Sequence, residues 1–402
     1  LGRMHPAILI GSILLGPLVM VSKCVVRPDG DNFERVKARA TASVCLITGD
    51  GIAPADLPLY NKALPADPFL TEFSRLGVTV INAYGANNTS PAAAVAVVTG
   101  ELPSTHGVLN YQNSLNKELL TLGEMFDLRG MRTAAFSNVP ILTQCGMAQG
   151  IHNQTQSIGA GAVGVGQTGA AWLATLGEEY FFCWIHYFIR PEDEADRAAT
   201  FTTLLKSVTD GLQRGRKIEG TFVIATGTYG RHRGDLSVPM LWKIPKRTAI
   251  GARRNGPCST LDILPTLVSI FGLRTTLKLP GRNLVADPDQ PLYTGHYFTD
   301  PVGALFETFV ARSREPTLGI RNHRWGVTQG PAPGNVAAYK IEADPDMTTN
   351  LVGTEEGDRA KSYMLEKLFE RKAGFPHQSL PPDRLLVDEP LRSQLQKMGL
   401  FD

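Results

Sequence analysis

Four apolar runs constrain the fold more than any other feature: SVCLITGDG (43–51), TAAFSN (133–138), YFFCWIHYF (180–188) and GTFVIATG (220–227). They are short, and too continuously apolar for a strand with one wet face. They read as strands buried on both faces, the pattern of a parallel sheet covered by helices. VTVINAY (78–84) is a further strand. The segments between them carry helical spacing and stop signals. FLTEFSRLG (69–77) and LLTLGEMFDLRG (119–130) both end on glycine, and STLDILPTLVSIFG (259–272) carries an internal Pro265. SPAAAVAVVTG (90–100) opens with Ser90 and Pro91 as an N-cap and N1 pair. Strands alternating with helices predict an α/β fold with a doubly wound, mostly parallel sheet. Beyond about residue 290 the pattern is mixed and predicts a small second sheet. The expected organisation is an N-terminal membrane anchor (1–30), an α/β domain (31–290), and a C-terminal subdomain and tail (291–402).

Charge narrows the partners. Of 402 residues, 40 are Lys or Arg and 38 Asp or Glu, a net charge of +2. No drive toward nucleic acid is visible, so none is expected as a partner. A hydrophobic fraction of 43% excludes a wholly disordered chain. The five cysteines, at 24, 45, 145, 183 and 258, form neither a disulfide framework nor a CxxC metal site.

Ala7–Ser22 carries no charge. As a helix it spans about 24 Å, short of the roughly 30 Å hydrocarbon core. Lys23 can snorkel, Val25 and Val26 extend the apolar stretch, and neighbouring helices tolerate Pro17. The expectation is a single-pass membrane anchor that meets the lipid bilayer through residues 7–22. A retained signal peptide and a buried core helix are the rivals. A chain starting at Leu1 with such a span suits a processed mitochondrial inner-membrane subunit; the secretory pathway is the alternative. Sequons at Asn87, Asn88 and Asn153 are weak signs of the latter. Gly159, Gly161 and Gly164 spell GxGxxG, but HNQTQS before them is not a buried strand. That stretch (159–169) reads as a flexible or ligand-free loop. The basic run 243–254 reads as a solvated loop, with docking to an acidic partner as the alternative.

The order of segments from about Val44 to Val352 resembles the sulfatase family of the alkaline-phosphatase superfamily. LITGDG (46–51), LTEFSRLGVTVINAYG (70–85), TSPAAAVAVVTGELPSTHGV (89–108), TLGEMFDLRGMRTAAFSN (121–138) and TFVIATGTYG (221–230) carry the likeness. VPMLWKIP (238–245), PCSTLDILPTLVSIFGL (257–273), LPGRNL (279–284) and YKIEADPDMTTNL (339–351) continue it. The resemblance implies hydrolysis of sulfate esters with a divalent cation, usually calcium, and an oxidised Cys or Ser as nucleophile. By the same resemblance Asp50 occupies the first acid position of the metal motif, and Gly51 replaces the second. Thr228 and Tyr229 stand where two further ligands would. Counting back from Thr99-Gly100 places Ser90 at the nucleophile, and counting from Pro91 places Thr89 there. The family's Ser and Arg are replaced among Ala92, Ala93 and Ala94. Its Lys-x-His is replaced by Asn138, Val139 and Pro140, and its later His by Ile189, Arg190 and Pro191. His186, inside a strand, reads as a packed core histidine, and His106 as structural.

These losses lie in five separate segments. They predict a catalytically degenerate chain: no cofactor, no bound calcium and no enzyme activity. Asp50, Gly51, Thr89, Ser90, Thr228 and Tyr229 would be vestigial. The expected role is a membrane-anchored accessory subunit whose partners are the other subunits of a larger assembly, such as a mitochondrial respiratory complex. Two alternatives stand beside it. One is an active sulfatase or phosphotransferase-type hydrolase using Thr89 or Ser90. The other is a non-hydrolysing anion-binding module at the start of the helix that follows Ser90.

Overall fold

The computed structural model describes residues 42–190, 195–231, 235–245, 251–273, 278–284, 304–309, 316–332, 334–373, 382–384, 386–398 and 400. The expected anchor at residues 7–22 lies outside the described residues, as do residues 191–194 and 246–250. Among the described residues no helix is long and apolar enough to cross a membrane.

The main sheet runs β10 (Cys258–Ser259), β2 (Gly77–Tyr84), β8 (Ser237–Lys243), β7 (Thr221–Tyr229), β1 (Ser43–Asp50), β6 (Phe181–Phe188), β4 (Arg132–Ser137) and β5 (Asn153–Gln156), with β9 (Ala252–Arg254) also paired to β2. Every pairing is parallel except those of β8 with β7 and β2. The sheet is therefore mixed but mostly parallel, as the apolar runs predict.

Both faces are covered, which is why those runs show no polar alternation. Val44, Leu46, Phe182, Trp184 and Ile224 pack on one side with α2 (Ala92–Thr99), α4 (Leu122–Asp127) and α7 (Ile263–Ile270). Cys45, Ile47, Cys183, Ile185 and Val223 pack on the other with α1 (Pro68–Arg75), α5 (Ala162–Ala174) and α6 (Arg197–Arg214). Local signals start these helices. Asp67 accepts from the Leu70 N–H ahead of Pro68 in α1, and Thr121 and Glu124 form a capping box on α4. All eight residues of α2 are buried, so its Ala/Val sequence suits an interior helix.

The glycine-rich stretch corrects the expectation of a loop. β5 is a half-exposed edge strand, and α5 begins at Ala162. A Cβ at Gly166 would lie 2.7 Å from Leu204, and one at Gly169 would lie 2.6 Å from Ile185. These glycines let α5 approach α6 and the sheet closely.

A second, antiparallel sheet follows: β11 (Ala304–Phe309), β12 (Pro316–Arg321), β13 (Trp325–Gln329) and β14 (Val336–Lys340). α8 (Glu355–Ala373) covers it through Met364 and Leu368, in a cluster that includes Ala96 of α2 and Leu102. The chain then returns to the main unit. β15 (Asp383–Arg384) pairs with β3 (Asn113–Ser114), Leu395 of α9 (Glu389–Lys397) is buried in the main core, and Gln394 donates to the Ile158 carbonyl.

Candidate active site

In open sheets of this kind the crevice at the carboxyl ends of the parallel strands collects functional side chains. Asp50 ends β1 at that edge and is completely buried. Thr228, near the end of β7, donates its hydroxyl proton to Asp50 Oδ1. On the other flank β6 brings His186 into register with Thr48. His186 Nε2 lies 3.6 Å from Asp50 Oδ2, too far for a hydrogen bond, and neither atom has a hydrogen-bond partner.

Two further bonds orient the ring. Trp184 can only donate, and its Nε1–H goes to Thr48 Oγ1 at 2.9 Å. Thr48 Oγ1 also pairs with His186 Nδ1, 2.9 Å away. With Nδ1 held by Thr48, the Nε2 edge of the ring faces Asp50. The expected core histidine is thus buried, as read, but its free edge points at the one carboxylate of the candidate site. Its position inside an apolar strand gave no sign of this, because strand register is a tertiary fact.

The segment joining β2 to α2 closes over the same edge. Asn87 is buried and donates to the Glu307 carbonyl at 2.6 Å. The Thr89 hydroxyl donates back to Asn87 Oδ1 at 2.7 Å. Ser90 does not cap α2; Pro91 holds the N-cap position without a side-chain bond. The Ser90 hydroxyl instead pairs with the phenol of Tyr111 at 2.9 Å. Burial first, and then the negative charge of Asp50, push the Tyr111 phenol well above its ordinary range. Tyr111 therefore stays protonated and lies within electrostatic reach of Asp50.

Gly51 follows Asp50 with φ +81°, a conformation that strains any side chain, and its carbonyl accepts from Arg197 Nε at 2.9 Å. Tyr229 is half-buried one residue past Thr228. Asn138 is structural: it donates to the Phe188 carbonyl and accepts the Phe188 N–H, clamping β4 to β6. His106 is also structural, accepting the Val108 N–H at 3.1 Å.

The calcium site implied by the resemblance can be tested against these atoms. Calcium takes six to eight oxygen ligands. Asp50 Oδ1 is engaged by Thr228, which leaves Oδ2 and the His186 nitrogen as open donors. Among the described residues no group of three or more His, Cys, Asp or Glu could hold a metal. The described residues do not fit a calcium site.

No protein-family model and no curated protein sequence matches the chain. Solved structures do. A 2-O glycosaminoglycan sulfatase is similar with a TM-score of 0.65 and 15% identity, over 87% of this chain and 96% of that one. A protein solved with its substrate D-glucosamine-2-N,6-O-disulfate gives 0.65 and 11%, over 85% and 100%. The phosphonate monoester hydrolase of Agrobacterium radiobacter gives 0.63 and 15%, over 86% and 100%.

This is the sulfatase fold. The likeness spans nearly the whole of each neighbour, and its strand order carries Asp50, His186 and Thr228 to one edge. It also corrects the expectation of a chain that is not an enzyme. The proteins sharing the sulfatase fold include a sulfatase, a phosphonate hydrolase and a protein solved with its substrate, so the fold gives no ground for reading this chain as inactive. The degenerate reading counted missing family residues. It took His186 for a packed core histidine, whereas strand register sets its Nε2 3.6 Å from Asp50 Oδ2.

Proposed function

We propose that this chain is a hydrolase or phosphotransferase-type enzyme acting on sulfate, phosphate or phosphonate monoesters, with Ser90 as nucleophile. The observation that carries the reading is the 2.9 Å Ser90–Tyr111 hydroxyl pair beside Asp50. An alcohol is a weak nucleophile until a neighbouring group takes its proton. In this reading the Asp50 carboxylate takes it up, with Tyr111, hydrogen-bonded to Ser90 and within electrostatic reach of Asp50, between them in the relay. Ser90 Oγ bonds to the sulfur or phosphorus, the bond to the leaving oxygen breaks, and that oxygen is protonated. Water, or an acceptor alcohol in a transferase, then cleaves the ester on Ser90. Thr89 is the weaker candidate because its proton is committed to Asn87.

The test is turnover of 4-nitrophenyl sulfate, phosphate and phenylphosphonate by the full chain, beside Ser90→Ala and Thr89→Ala. Ser90→Ala is expected to abolish turnover and Thr89→Ala to leave most of it. Mass spectrometry of quenched reactions should find the group on the Ser90 peptide. Saturable ester binding by the native chain without turnover would replace this reading with the anion-binding module. Membrane anchorage through Ala7–Ser22 belongs to the same proposal and rests on that uncharged stretch. Its check is whether alkaline carbonate extracts the chain from native membranes.

A further inference from the structure

The fold separates the sequons at Asn87, Asn88 and Asn153, which share one local pattern. Asn87 is fully buried, and the Nδ2 that would carry a sugar donates to the Glu307 carbonyl at 2.6 Å. Carbohydrate there would break the bond that ties the two sheets together. Asn88 is half-buried in the segment between β2 and α2, two residues before Ser90. Asn153 stands elsewhere, as the first residue of β5. Among the described residues its side chain has no hydrogen-bond partner, and neither of its polar atoms is a buried one, so the amide reaches solvent. His152, Gln154 and Thr155 around it are exposed. Strand alternation sets Asn153 and Thr155 on one face, so both key residues of the motif stand together.

β5 is also the last strand of the main sheet. Its inner side pairs with β4 from Ala134 opposite Asn153 to Ser137 opposite Gln156, without a bulge. No described strand pairs with its outer side. Such an edge is a template for another chain, and proteins guard it with charge, proline or a bulge. Asn-Gln-Thr-Gln carries none of these. An uncharged, amide-rich strand is also a composition that stacks edge to edge.

We infer that Asn153 is an N-linked glycosylation site whose carbohydrate guards the open edge of β5. The donor class is a polyprenyl-diphosphate-linked oligosaccharide. Asn153 Nδ2 bonds to the anomeric carbon, the bond from that carbon to the diphosphate oxygen breaks, the polyprenyl diphosphate leaves, and Nδ2 gives up one proton. The product is bulky and hydrated, and occupies the space that a docking strand needs. Transfer to an Asn-x-Ser/Thr sequon belongs to the secretory route, so the inference sets the main sheet on the lumenal side of a membrane. It goes beyond the hydrolase reading and does not depend on it.

The first test uses the full chain extracted from its native membranes. Peptide N-glycosidase in heavy-oxygen water converts a glycosylated asparagine to a labelled aspartate, which mass spectrometry of the peptides locates. The label is expected at Asn153 and not at Asn87. Recovery of the Asn153 peptide unlabelled overturns the inference, whatever is found at Asn88. The second test expresses the chain in secretory host cells and reads its electrophoretic mobility with and without the glycosidase. Asn153→Gln and Thr155→Ala should each lose one glycan, and Thr155→Ser should keep it. Mobility is read under denaturing conditions, so the result stands even for a variant that misfolds. Equal glycan content in all four chains overturns the site. The third test is size-exclusion chromatography of the folded Asn153→Gln chain, which should run as larger species than the glycosylated wild type at equal concentration. Equal elution overturns the guarding role and leaves the site.

Discussion

His186 and Asp50 reach each other from neighbouring parallel strands, with Nε2 3.6 Å from Oδ2 and both side chains fully buried. Burying a carboxylate is costly unless a partner compensates it, and here Thr228 and His186 are the partners at hand. Removing a polar neighbour from such a buried site leaves the remaining group unsatisfied, at about 1–3 kcal/mol. His186→Ala should therefore lose about that much stability in urea unfolding. His186→Gln can still donate toward Asp50 and should recover part of it. If the imidazole moves a proton during turnover, both variants should lose about 10²–10⁴ in kcat. A His186→Gln enzyme with native kcat would leave the pair a purely structural role.

Glu101 follows Gly100, the left-handed C-cap of α2, and burial raises its carboxyl to about 8. The folded state then holds a proton that the unfolded chain gives up above about 4.5. Between those values the folded state binds more protons, so stability falls as pH rises, by up to about 1.4 kcal/mol per pH unit. Glu101→Gln removes this slope. Its unfolding midpoint should match the wild type at pH 4.5 and exceed it at pH 8. Equal midpoints at pH 8 would refute the assignment.

Five residues on, His106 has the opposite sense. Burial lowers its pKa from 6.5 to about 3, so it folds neutral. The unfolded chain takes up the proton below about 6.5, and stability falls as pH drops through that window. His106→Gln should flatten this acid limb relative to wild type in urea titrations between pH 7 and 4. An unchanged limb would show that carboxylates alone set it.

Much of the scaffold was legible. Runs such as SVCLITGD and FFCWIHYF announce two-sided burial by their lack of alternation, and Asp67-Pro68 and Thr121-x-x-Glu124 announce helix starts. What stayed hidden depends on elements meeting in space. His186 is one apolar-strand residue until register sets it beside Thr48, two residues from Asp50. Ser90 reads as a cap until Tyr111, twenty-one residues on, takes its hydroxyl. The glycines at 166 and 169 resemble loop composition and are a helix-packing seam. Arg321 lies in a stretch whose mixed pattern carried no signal, and its stacking on Tyr84 appears only once the two sheets meet.

Those sheets are stitched at Glu307. Its carboxylate accepts both the N–H and the hydroxyl of Ser104, at 2.8 and 2.6 Å, and its backbone bonds Ala86 and Asn87. Hydrogen bonds to a charged group contribute about 1.5–3 kcal/mol each. Glu307→Ala should cost about 2–4 kcal/mol and loosen the segment that carries Ser90. The expected signature is a lower Tm together with reduced kcat. A stable variant would mean that the backbone bonds alone hold the junction.

Gly85 makes the most stringent test of how closely the site is built. A Cβ there would lie 2.0 Å from the backbone oxygen of Thr228, whose hydroxyl bonds Asp50. Backbone cannot swing aside as a side chain can, so Gly85→Ala must displace either the end of β2 or the end of β7. Overpacking of this kind costs about 1–3 kcal/mol. The displaced strand ends carry either the Ser90 segment or Thr228, so turnover should fall with stability. Gly164→Ala is the control: it lies within α5 at an ordinary φ, with nothing within 4 Å of the added Cβ. That substitution should raise stability by about 0.5–1 kcal/mol through helix propensity and leave turnover alone. Full activity in a folded Gly85→Ala protein would mean that the Thr228–Asp50 contact does not set the chemistry, and would return attention to Ser90 and Tyr111 alone.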